Sequence, residues 1–82
     1  MERAALRLLG RRVRQLRKQL GWSQEELAEA ADLHENYVSR LETGRQEPGF
    51  FVLLRLCRAL GIAPAEFLED FNLRALKRLR LK

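Results

Sequence analysis

The chain is poor in most of what catalysis, secretion or membrane insertion would require. A single cysteine, Cys57, rules out an internal disulfide and fits a reducing compartment. A single histidine, His34, leaves too few ligands for a zinc site of His/Cys composition. There is no nucleophile–base pair, phosphate-binding glycine loop or metal cluster, so the residues support neither an enzyme nor a cofactor. The longest uninterrupted apolar run, Phe50 to Leu54, falls far short of the roughly 20 residues of a membrane span. Residues Met1 to Arg7 lack the apolar core of a signal peptide, and a cytoplasmic location is expected. No stretch alternates in the manner of a strand, and there are no repeats or low-complexity linkers.

What is present is charge, unevenly placed. The net charge is +5, but residues 1–22 hold seven bases against one acid and residues 23–70 hold four bases against ten acids. The last twelve residues carry five bases and no acid. A basic chain suggests nucleic acid or another anionic surface, yet the acidic middle means that bulk charge alone identifies no partner.

The apolar pattern is helical throughout. Leu6, Leu9, Val13, Leu16 and Leu20 recur at steps of three and four, with arginines opposite, and Gly21 is placed to end this first helix. Gly10 inside the stripe lowers helix propensity by about 1 kcal/mol, so the part before it is expected to fray. Ser23-Gln24-Glu25-Glu26 is a capping box that starts a second helix at residue 24, carrying Leu27, Ala28 and Ala31 inward. After a break at Asp32-Leu33, a third helix spans about residues 35–43, with Val38 and Leu41 buried and Gly44 as its stop. Residues 45–49 read as a loop, residues 50–60 as a fourth helix ended by Gly61, and Pro64 opens a fifth that reaches about Asp70. Asn72 is placed to cap a short sixth helix with Leu73, Leu76 and Leu79 on one side. The expected organisation is one domain over residues 1–70 followed by a basic segment over residues 71–82.

Two short helices joined by a tight turn meet the physical requirement of a helix-turn-helix. Four blocks then resemble the lambda-repressor/Cro family: Leu9 to Arg17, Gly21 to Ala28, Tyr37 to Gly44, and Pro48 with Leu60-Gly61. The match covers roughly residues 8–69. The resemblance implies an all-α bundle of five helices whose third helix enters the major groove of double-stranded DNA. It assigns base contact to Glu35, Asn36, Ser39 and Arg40, and backbone contact to Ser23, Gln24, His34, Tyr37 and Arg45, with Gln24 also able to brace the recognition helix. It also implies an ion pair between Arg17 and Glu42 that ties the first helix to the third. The chain departs from the family where Asp32 replaces a frequent glycine and His34 a frequent serine or threonine.

The chemistry of these residues supports part of that assignment. Arginine bonds bidentately to guanine and asparagine to adenine, each discriminating by about 1–3 kcal/mol. Backbone N–H groups at the start of the second helix suit a phosphate. Arg11, Arg14 and Lys18 are candidates for further phosphate contacts. Glu35 carries two readings, a base contact or stabilisation of the helix N-terminus from a solvated position. Cys57 shares a face with Leu53, Leu56 and Leu60 and reads as core.

If Phe50, Leu53, Leu56, Cys57 and Leu60 fill the core, then Phe51, Val52 and Leu54 are left on or near the outside of the fourth helix. Such a patch suggests either a homodimer interface or a surface covered by residues 71–82. The basic end itself has three readings: a packing helix, a DNA-contacting tail, or a link to something further. The main expectation is a regulator that binds an operator as a dimer; its self-contained size resembles compact phage repressors and restriction–modification controllers, which act without a ligand domain. The rivals are an antitoxin, which would also bind a toxin protein, and an adaptor that binds no DNA.

Overall fold

Helix α1 runs without interruption over Arg3–Gln19 in the computed structural model, which describes residues 3–81. The expectation of fraying before Gly10 is therefore corrected, and the reason is packing. Gly10 is buried, and a methyl group there would run into the carbonyl of Leu41 and lie 2.7 Å from the carbonyl oxygen of Glu42. The glycine lets α1 pass directly over the end of a later helix. What it loses in propensity it returns in close approach.

Five more helices follow among the described residues: α2 Gln24–Ala31, α3 Glu35–Glu42, α4 Phe50–Leu60, α5 Pro64–Phe67 and α6 Leu73–Arg78. The capping box at Ser23 is formed in both directions, with Glu26 N–H donating to Ser23 Oγ at 3.0 Å and Ser23 N–H to Glu26 Oε1 at 2.8 Å. Ser23→Ala is expected to cost about 1 kcal/mol and lower the melting temperature by roughly 4–8 °C, which thermal unfolding by circular dichroism would measure. Asp32 closes α2 in the left-handed region, at φ 58°. An aspartate takes this conformation more readily than most side chains.

Helices α1 to α5 each contribute to a core whose fully buried members include Val13, Leu27, Val38, Leu41, Leu56 and Phe67. Three sequence expectations fail at its margins. Leu20 is 46% exposed, because α1 stops at Gln19 and the chain has already begun to turn towards Gly21. Phe50 is 67% exposed; as the first residue of α4 it projects beyond the core and meets Phe51 edge-on, with ring centroids 5.5 Å apart. Helix α5 ends at Phe67 rather than near Asp70. Its terminal carbonyls are capped by Arg12, which donates from Nε to Phe67 O at 3.2 Å and from Nη2 to Glu66 O at 3.0 Å. Cys57 is buried beside Leu56 and Leu60, and burial pushes its thiol up, so it stays a neutral core side chain.

Candidate nucleic-acid interface

The period of α3 divides its residues. Val38, Leu41 and Glu42 turn inward, while Asn36, Arg40 and the capping Thr43 are exposed on the other side. An outward face can read a ligand only if the helix beneath it does not shift, and one buried arginine secures that. Arg17 donates from Nε to Glu42 Oε2 at 2.7 Å, from Nη2 to Glu42 Oε1 at 3.0 Å, and from Nη1 to Trp22 O at 2.7 Å. It thereby joins the end of α1, the turn before α2 and the last turn of α3. Gln24 Nε2 adds a fourth tie, donating to Glu42 Oε1 at 3.1 Å. The hydrogen bond with Glu42 pushes Arg17 further up, against the lowering effect of burial, so its guanidinium stays charged.

His34 begins α3, its Nδ1 accepting the Asn36 N–H at 3.1 Å, so the unusual residue serves as the cap. Tyr37 is half-buried against the core, with the Arg40 guanidinium 5.8 Å from its ring centroid. Burial pushes the Tyr37 phenol up and the charges of Arg40 and Arg55 pull it partly back, so it keeps its proton as a donor. Arg40 Nε donates to Gln46 Oε1 at 3.1 Å. Ser39 is half-buried, and Thr43 Oγ1 donates to its carbonyl at 3.1 Å. Glu35 lies to one side of this group, lining a hollow with Glu25, Glu26, Glu29 and His34.

The basic residues of α1 separate into two sets. Arg12 and Arg17 are bound to carbonyls and carboxylates as described. Arg7, Arg11, Arg14 and Lys18 follow one another at steps of four and three and are exposed. Among the described residues their side chains make no hydrogen bond or ion pair. Arg7 was missed by sequence reasoning. A Cβ at Gly44, where φ is +75°, would meet the Arg7 side chain at 2.7 Å and its backbone at 3.1 Å, so Arg7 sits beside Thr43 and Arg45 at the exit of α3. The signal that could have found it was the continuation of the stripe toward the N-terminus. Arg55, likewise unassigned, donates to the carbonyl of Ala31 at 3.1 Å and steadies the turn between α2 and α3.

The apolar patch on α4 differs from expectation in two members, Val52 and Phe50. Phe51 is 73% exposed and Leu54 is exposed, but Val52 is half-buried and packs against the core. Phe50 takes its place outside. Residues 71–81 do not cover this surface, and no residue of α6 is buried. No helix among the described residues is long and apolar enough to cross a membrane.

A family model described as helix-turn-helix matches residues 13–67. Among curated proteins, the control protein C.BamHI of Bacillus amyloliquefaciens is 36% identical over 63 residues, spanning 76% of this chain and 78% of that protein. The restriction–modification controller C.AhdI of Aeromonas hydrophila superposes with a TM-score of 0.76 at 39% identity, over 78% of this chain and 97% of the other. The clp gene regulator ClgR of Corynebacterium glutamicum superposes with a TM-score of 0.74, also at 39% identity, over 79% and 85%.

Proposed function

The chain belongs to the helix-turn-helix family, and from that premise we propose that it regulates transcription by binding operator DNA as a two-fold dimer, with α3 in the major groove. The observation that carries this reading is the outward face of α3. Asn36 and Arg40 stand one turn apart on a helix whose inner face is locked by the Arg17–Glu42 pair. A guanidinium and an amide at that spacing match guanine and adenine edges. Asn36 and Arg40 are the principal base readers, with Ser39 beside them and Glu35 at the acidic edge. Ser23, Gln24, His34, Tyr37 and Arg45 would hold the phosphates, and the stripe of Arg14 and Lys18 extends that contact along the backbone. Phe51 and Leu54, joined by Phe50, would form the contact between two copies, and Val52 would support it from beneath.

The named relatives are control proteins and a gene regulator, which favours this reading over a regulator that also captures a toxin.

The test is selection of bound sequences from random duplex DNA, repeated with Asn36→Ala/Arg40→Ala at the same salt. A palindromic consensus that loses definite base pairs in the variant is expected; half-site centres one helical turn apart, about 34–36 Å, would fit a two-fold dimer. No consensus, or one unchanged in the variant, would refute base reading by α3. Lys18→Gln should leave the consensus intact while reducing the slope of log K against log salt by about 0.9.

A further inference from the structure

Arg40 is exposed, but its guanidinium is not without partners in this structure. Its guanidinium carbon lies 5.8 Å from the centroid of the Tyr37 ring, and its Nε–H is taken by Gln46 Oε1 at 3.1 Å. Gln46 comes from the segment after α3 and is half-buried. Its own Nε2 donates to the Glu47 carbonyl at 3.5 Å, which turns the amide so that its oxygen faces Arg40. A flexible side chain is thus restrained from two directions, by a ring and by an oriented acceptor.

We infer that Gln46 is a positioning residue that sets the base preference of Arg40 without touching DNA itself; the inference rests on the base-reading role proposed for Arg40. An arginine has five N–H donors. With Nε occupied, the four on Nη1 and Nη2 remain, and these form the end-on fork that the O6 and N7 acceptors of guanine require. Adenine offers N7 but places a donor where O6 would be, so a held fork rejects it. A released guanidinium could instead swing to a neighbouring phosphate, which carries no sequence information. Gln46 therefore contributes to choice among bases more than to total affinity. Holding the fork before binding also removes rotamer freedom that would otherwise be lost on contact.

The experiment is the same selection from random duplex DNA, run at one salt concentration on the full chain and on four variants. Arg40→Ala is expected to flatten the preference at one base pair per half-site. Gln46→Met keeps the length and bulk of the side chain but removes the amide, and should weaken that same guanine preference by about fivefold. Affinity for random duplex should change less than about twofold, since the phosphate contacts are untouched. Gln46→Glu retains an acceptor for Nε and should retain the preference, with weaker binding from the added negative charge. In Arg40→Ala/Gln46→Met the second substitution should add nothing at that base pair.

Thermal unfolding of Gln46→Met within a degree or two of the parent would show that the fold is intact. The inference is overturned if Gln46→Met leaves the guanine preference unchanged. It is also overturned if the altered base pair differs from that lost in Arg40→Ala, or if the effect persists without Arg40. A consensus unchanged in Arg40→Ala itself would instead remove the base-reading assignment, and this inference with it.

Discussion

Replacing Glu42 by alanine is expected to lower the stability of the chain by about 3–5 kcal/mol, because it leaves a buried charge without its partner. Arg17 cannot move out to water, since its side chain is only 9% exposed and its Nη1 is bound to the Trp22 carbonyl. A chain of this size is stabilised by roughly 4–12 kcal/mol in all, so a large share of the total is at stake. The melting temperature should fall by roughly 15 °C or more, as seen by calorimetry or circular dichroism. The double variant Arg17→Met/Glu42→Leu should recover most of the loss, because a buried pair replaced as a unit by apolar groups is often close to neutral. Its DNA affinity should recover less, because Gln24 and Trp22 would still lack their partners at the end of α3. A cost below about 1 kcal/mol for Glu42→Ala would place the pair with ordinary surface ion pairs and remove it as the brace of the recognition face.

Gly10→Ala is expected to destabilise the chain by about 2 kcal/mol or more, against the direction of helix propensity. Alanine is the better helix former by about 1 kcal/mol, and at an exposed position the substitution would help. Here the added methyl meets the backbone carbonyls of Leu41 and Glu42, which cannot swing aside as a side-chain tip would. To admit it, α1 must lift from the end of α3, and the geometry of the Arg17–Glu42 bonds would suffer with it. The two substitutions should therefore add less than their separate costs, which a double-mutant cycle by urea unfolding measures. An unchanged or raised stability for Gly10→Ala would mean that the two helices do not approach so closely.

The helix-turn-helix was legible because its determinants are local. Capping residues at Ser23, a left-handed turn at Asp32 and the inward pair Val38 and Leu41 all lie within a few residues of the structure they specify. The expectations that failed depend on what lies opposite. Leu20 and Phe50 follow the helical period but project past the ends of the elements they would pack against. Gly10 looks like a defect until α3 is laid across it. Arg12 is indistinguishable in sequence from Arg11 and Arg14, yet it caps carbonyls more than fifty residues away. The resemblance supplied the pairing of Arg17 with Glu42, but periodicity alone gave no sign of it. For the candidate recognition surface, the resemblance assigned Asn36 and Arg40 to base contact, and the chemistry of the two side chains agreed with it. The restraint on Arg40 by Tyr37 and Gln46 became visible only once the segment after α3 was folded back beside it.

The central claim is that α3 reads base edges in the major groove. The measurement that tests it most directly is binding to a selected operator in which the guanine assigned to Arg40 is replaced by 7-deazaguanine. That change removes the N7 acceptor from the major groove and leaves Watson–Crick pairing and the minor groove intact. The account predicts a loss of about tenfold in affinity for the parent chain, equivalent to about 1.4 kcal/mol, and no loss for Arg40→Ala. Equal binding of the parent chain to both operators, or an equal loss in the variant, would contradict it.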